Sequence, residues 1–354
     1  MSSLDRQKKE IGLAAITDHT GKEVVPARTL GYDQLVIAVG STANDFNTPG
    51  ARDHCLFLDN RDQAERIHQA LIHHYLHAQA SNHSEASLNI SVIGAGATGV
   101  ELTAELHHAA IALEHYGLDA IKSKNLKLTL VEGGDRILPA LPERISSSVH
   151  KQLTKMGVEV KVKQLVSEIH PDGLITKEGD WIASDLSIWA AGIKAPAFLN
   201  NLDGLESNRI NQLVVRPTLQ TTEDDAIYAL GDCASCTLTD AQGQTTRIPP
   251  RAQAAHQQAA LLAKSLINQV HGSNPLVFNY KDYGSLISLS RGSAVGNLMG
   301  AVTGDLMIEG ILAKWFYISL YRMHQMTLFG KVKTAALILK DLISRTTRPY
   351  FKLH

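Results

Sequence analysis

The clearest pattern along the chain is a set of short, continuous apolar runs rich in β-branched residues, each closed by glycine or polar turn residues. Such runs read as strands buried on both faces, as a parallel sheet requires. They fall at 33–40, 88–93, 126–131, 158–162, 186–189 and 226–231. Helical spacing fills several of the gaps. Asp62 to His77 reads as one helix, and a second follows from Val100. A third runs from about Arg251 to Val270, announced by Pro249-Pro250, where a missing N–H costs nothing. This alternation predicts an α/β protein with a doubly wound parallel sheet.

Composition adds bounds. A chain of 354 residues suits two domains of roughly 150 residues. With 44% hydrophobic and 19% charged residues, disordered and collagen-like classes are excluded. Three cysteines, Cys55, Cys233 and Cys236, cannot frame a chain this long, so a reducing compartment is expected. Met1 to Glu10 is charged and has no apolar core, so no secretory signal is expected there. No apolar window reaches the roughly 18 residues of a spanning helix.

The chemistry centres on Gly94-x-Gly96-x-x-Gly99, which follows a strand and opens a helix. Its glycines suit a tight turn, close approach to a pyrophosphate, and tight helix–strand packing, and the helix N-terminus offers N–H groups to phosphates. Thr98 lies within the same turn. Glu132 ends the next strand, where a carboxylate binds adenosine ribose hydroxyls and repels the 2′-phosphate of NADPH, so NADH is expected. It lies 33 residues past Gly99, beyond the usual spacing, which a longer helix and loop explain. Glu101 and Glu105 stand one helical turn apart, either near the reacting end of a dinucleotide or as solvated carboxylates. A second element, Gly231-Asp232 after a strand, pairs with the Gly40-Ser41 strand end. Glycine there lets the backbone approach a ligand, and the carboxylate accepts from a polyol such as the ribityl chain of FAD.

These residues belong to a longer ordered set. Tyr32-Asp-Gln-Leu-Val-Ile-Ala-Val-Gly-Ser41, Gly94-Ala-Gly-Ala-Thr-Gly-Val-Glu101, Trp189-Ala-Ala-Gly192-Ile-Lys, Ala229-Leu-Gly-Asp-Cys-Ala234 and Pro249-Pro-Arg-Ala-Gln-Ala-Ala-His-Gln257 occur in that order. The set closely resembles type II NADH dehydrogenase, the single-subunit flavoprotein NADH:quinone oxidoreductase of bacterial respiratory chains. The resemblance implies two glutathione-reductase-like dinucleotide domains. An NADH-binding domain at 51–194 would be inserted in an FAD-binding domain at 1–50 and 195–290, with a membrane-attachment region at 291–354. That family begins with its own Gly-x-Gly-x-x-Gly unit for the FAD pyrophosphate, and none precedes residue 94 here. An N-terminally incomplete FAD domain is therefore expected.

The resemblance also implies roles. FAD and NADH are the cofactors; Gly192 and Ala254 join the glycines above, Ser41, Thr98, Glu132 and Asp232 in holding them. Gln253 and Gln257 match the family's quinone motif and share one helix face; without the resemblance they read as surface amides. A membrane quinone is the expected acceptor, and the family admits a homodimer. A rival reading keeps NADH binding and membrane attachment but holds no FAD. Cys233 and Cys236 have the spacing of a redox dithiol, which the family does not use here. His73 and His77 sit at i, i+4 without a third ligand, so solvated histidines are expected and no metal.

The near-neutral total charge hides an asymmetry. From Ile311 onward there are eight basic residues against one acid, Asp341. Val332, Ala335, Ala336, Leu339, Leu342 and Ile343 form an apolar stripe flanked by Lys333, Lys340 and Arg345, and Trp315, Tyr317 and Tyr321 are aromatics of interfacial type. Nucleic acid would use the charge and leave the stripe idle. Amphipathic helices on a lipid surface use both, so peripheral attachment to the cytoplasmic face of the bacterial inner membrane is expected.

Overall fold

A computed structural model describes residues 1–81, 86–240, 242–289, 294–300, 304–309 and 311–344. The elements that position the site are β1 (Leu35–Ile37), β2 (Cys55–Phe57), α1 (Arg61–Ala80), β3 (Leu88–Ile93), α2 (Ala97–His115), β4 (Leu126–Val131), α3 (Glu143–Lys155), β5 (Glu159–Lys161), β6 (Leu186–Trp189), β7 (Ile227–Ala229), α4 (Ala252–Val270) and α5 (Ile311–Ser344).

The chain divides into two compact units, one of 1–44 with 193–282 and one of 45–192 with 283–354. The first division thus falls at Asn44/Asp45, six residues before the boundary expected from the sequence, and the C-terminal region groups with the second unit.

The second unit is built on a five-stranded parallel sheet in the order β5-β4-β3-β6-β2. β3 and β4 pair along their whole lengths, Leu88 opposite Leu126 through Ile93 opposite Val131. Ile90, Val92, Leu128 and Leu130 are buried in the core that α1, α2 and α3 cover. Burial on both faces is why these runs lack alternation. β3, β4 and β6 occupy the expected residues. α2 begins at Ala97, a turn earlier than Val100, because the helix starts inside the glycine motif with Gly96 at its N-cap. An antiparallel sheet of Val166–His170, Gly173–Thr176 and Trp181–Ala183 was not expected. Its strands are three to five residues long; the first carries exposed Glu168, and Ile169, Leu174 and Ile182 are buried.

In the first unit, β1 and β7 form a two-stranded parallel pair, Leu35 opposite Ile227. The run expected as a strand over 33–40 is regular only at Leu35–Ile37, and Val36 and Val39 are exposed. Pairing on one side leaves the rest of the run without ladder partners. Around the pair, Leu199, Leu213, Leu219, Ile227, Tyr228 and Leu262 form a separate core.

α5 breaks at Gly330, whose φ of 77° and ψ of 169° leave the helix. Arg322 Nη2 donates to Asp341 Oδ2 at 2.6 Å. A continuous helix would hold residues nineteen apart roughly 28 Å from each other, so the chain doubles back at Gly330. Among the described residues no helix is long and apolar enough to cross a membrane. Trp315, Tyr317 and Leu342 lie outside the described side chains, as does Arg345 altogether.

Candidate functional site

In the second unit, the C-terminal ends of β3, β4 and β6 open on a cavity of about 520 Å³. Its walls include Gly94, Gly96, Glu132, Gly133, Gly134, Leu165, Ala191 and Phe46. This is the crevice where strand order reverses about β3, the usual ligand position in an open α/β sheet.

The three motif glycines divide the work. A Cβ on Gly94 would sit 2.6 Å from Ala191 Cα, so glycine lets the end of β6 pass close by; its φ of 99° also requires it. A Cβ on Gly99 would sit 1.9 Å from the Gly94 carbonyl oxygen, which is the tight helix–strand contact. A Cβ on Gly96 would meet nothing within 4 Å. Gly96 therefore keeps open the space at the N-terminus of α2, where unpaired N–H groups and the helix dipole attract phosphate. This is the cradle a pyrophosphate fits.

Glu132 stands at the other side of the turn. Its Oε2 accepts from Ala95 N and its Oε1 from Gly134 N, both at 2.8 Å. An ionised carboxylate has about four acceptor positions, so capacity for ribose hydroxyls remains. The sequence suggested the ribose role and missed the second one, that Glu132 ties the glycine turn to the turn after β4. Arg136, two residues past Gly134, donates to Pro139 O and Leu141 O. Glu101 is half-buried and Glu105 exposed on α2; neither they nor Thr98, Gly99 and Gly192 line the cavity.

In the first unit, Gly40 (φ 71°) and Gly231 (φ 72°) turn the chain after β1 and β7. Ser41 Oγ donates to Asp232 Oδ2 at 3.0 Å, which brings together two residues 191 apart in sequence. A Cβ on Gly40 would meet nothing within 4 Å. The open glycine beside a hydroxyl–carboxylate pair fits the polyol end of FAD. Among its described residues the unit has no glycine-rich strand–turn–helix for the FAD pyrophosphate.

Two residues that sequence reasoning passed over hold this corner. Buried Gln258 accepts from Gly231 N at 2.8 Å, and buried Gln212 donates to the Asp232 carbonyl at 2.7 Å while accepting from Arg247. Glutamines on a helix or in a loop read as exposed, and nothing in their spacing marks them. The two amides expected to face quinone, Gln253 and Gln257, have hydrogen-bond partners in the 280–281 segment. Gln257 Nε2 donates to Lys281 O and its Oε1 accepts from Lys281 N. Gln253 Oε1 accepts from Tyr280 Oη. Both side chains thus fix the 280–281 segment against α4, because an extended backbone beside a helix offers the donor and acceptor an amide needs. Ala254 is buried in the core.

Cys233 and Cys236 are buried, and burial raises both thiols, Cys236 to about 11; backbone hydrogen bonds partly oppose the rise at Cys233. A dithiol exchange site needs an accessible, acidified thiol, and this pair is neither. His73 and His77 are exposed on α1.

The family model described as pyridine nucleotide-disulphide oxidoreductase matches residues 2–259. The chain is 44% identical to the type II NADH:quinone oxidoreductase of Haemophilus influenzae, over 99% of this chain and 82% of that one. It is 28% identical to the protein of the same description from Staphylococcus aureus, over 84% and 74%. NDH2 from Plasmodium falciparum in complex with NADH superposes with a TM-score of 0.80 at 19% identity, covering 99% of this chain and 84% of that one, a likeness of fold.

Proposed function

This chain belongs to the type II NADH:quinone oxidoreductases, within the pyridine nucleotide-disulphide oxidoreductase family, and on that premise we propose that the second-unit cavity binds NADH for oxidation by a membrane quinone. The observation that carries the reading is the open position at Gly96, facing the cavity between the N-terminus of α2 and the Glu132 carboxylate. The helix N-terminus and the N–H groups of the turn hold the pyrophosphate, and Glu132 takes the adenosine ribose. Glu132 also repels a 2′-phosphate, which favours NADH over NADPH.

FAD bound in the first unit would supply the two-electron redox chemistry that links NADH oxidation to quinone reduction. Ser41, Asp232, Gly40 and Gly231 would hold its polyol. Gln258 and Gln212 keep that corner in shape by satisfying the Gly231 N–H and the Asp232 carbonyl, which buried backbone groups require.

Lipid attachment is assigned to α5. Tyr321, Met323, Leu328, Phe329, Val332, Leu339 and Ile343 are exposed along its two arms, with Lys331, Lys333 and Lys340 among them. An apolar row with basic flanks suits a helix lying in the headgroup region of an anionic leaflet, such as the cytoplasmic face of the bacterial inner membrane. Attachment there puts the enzyme on the phase in which its quinone is dissolved.

The test is a visible absorption spectrum of the detergent-purified chain, supplemented with FAD and then freed of unbound flavin by gel filtration, before and after NADH and then quinone. A flavin band that bleaches with NADH and returns with quinone is expected. A protein that stays colourless with added FAD would overturn the oxidoreductase reading and leave a nucleotide-binding protein.

A further inference from the structure

Phe46 adopts the left-handed backbone region with φ of 51°, and Asn47 follows at 55°. A bulky aromatic there is an outlier. Such strain persists only where the surroundings over-determine it, and it gathers at ligand clamps. The surroundings do over-determine it. Before Phe46, buried Asp45 accepts from the Arg52 guanidinium, and its carbonyl accepts from Thr48 N at 2.9 Å. After it, Pro49 O accepts from Ile169 N at 2.9 Å. Gly50 packs so closely that a Cβ would lie 2.0 Å from the Ile169 carbonyl oxygen. Arg52 in turn lies 4.7 Å over the Phe57 ring, which packs against Trp189 at 6.2 Å. The loop is pinned on both sides, yet Phe46 is 61% exposed and forms part of the cavity wall.

The sheet order says which part of a dinucleotide meets Phe46. Glu132 closes β4, and Trp189 to Ala191 continue β6; the two strands flank β3 on opposite sides. A pyrophosphate at the end of β3 therefore lays the adenosine over β4, against Gly133, Gly134 and Leu165. The nicotinamide half then runs over β6, toward Phe46, which shortly precedes the neighbouring strand β2. We propose that Phe46 is the wall on which the nicotinamide ring stacks, its strained backbone holding the ring out of the core and ready for the ligand. The inference rests on the NADH reading of the cavity. It adds a residue that sets affinity for the reacting end of the substrate.

The experiment measures binding to the full chain by titration calorimetry with two ligands: NADH, and ADP-ribose, which keeps the adenosine and pyrophosphate and lacks the nicotinamide. Phe46→Ala is expected to weaken NADH roughly 10-fold, the order found for removing an aromatic stacking partner, and to leave ADP-ribose unchanged. Phe46→Trp is expected to restore the preference for NADH. Equal loss of both ligands in Phe46→Ala would make Phe46 a structural residue and overturn the proposal, and so would unchanged NADH affinity. If the unmodified chain binds neither ligand, the dinucleotide reading itself falls, and the stacking role falls with it.

Discussion

Gly94, Gly96 and Gly99 share one motif but have different neighbours, so substitutions at them should separate binding from folding. Gly96→Val places its side chain in open space at an ordinary φ of −71°. It should leave the unfolding midpoint near that of the unmodified chain and abolish NADH binding in a fluorescence titration; retained binding would remove the pyrophosphate from this turn. Gly99→Val must push against the Gly94 carbonyl oxygen and should cost about 3 kcal/mol of stability, as overpacking does, read by urea denaturation. At the thiols the direction of the shift decides the chemistry. Raised by burial to about 11, Cys236 is neutral at pH 8 in all but about one molecule in a thousand. Native protein should resist iodoacetamide at pH 8, and Cys236→Ala should keep its NADH oxidation rate. Fast labelling of the folded protein would reopen the dithiol reading.

Among the elements, α1 shows how a boundary is set. Asn60 accepts from Gln63 N at 2.9 Å, and Gln63 reaches back to accept from Asp59 N at 2.6 Å. Replacing Asn60 with Ala should therefore cost about 1 kcal/mol, measured as a lower midpoint in thermal unfolding. The sequence-derived helix started two residues past this cap, since apolar spacing shows where a helix packs and says less about where it is capped. β3, β4 and β6 were legible residue for residue, because a strand buried on both faces leaves an unbroken apolar run. The antiparallel strands at 166–183 were not, since runs of three to five residues are too short to show a period. At the site, the glycine turn and Glu132 could be read from spacing. Phe46 could not: a single aromatic in a turn-rich stretch carries no periodic signal, and only its φ and its place on the cavity wall mark it. Gln258 was hidden for a related reason. Its importance lies in the backbone N–H of Gly231, 27 residues earlier in the chain.

For the whole molecule, the described core of the second unit is drawn from residues up to Leu289, so removing the membrane region beyond it should leave dinucleotide binding in place. Deleting 311–354 should release the protein from anionic vesicles in a sedimentation assay while NADH affinity is kept; continued sedimentation would locate attachment elsewhere. Raising salt should weaken binding of the intact chain only in part, because the basic side chains are screened and the apolar row is not. The fold-back at Gly330, fastened by Arg322 and Asp341, gives this attachment a geometry. Two short arms lying side by side at headgroup depth occupy area in one leaflet and none in the other. A wedge of that kind is accommodated best where the outer leaflet is already stretched, so the intact protein should prefer small, highly curved vesicles to large ones of the same lipid, and Arg322→Ala, which frees the arms to splay, should flatten that preference.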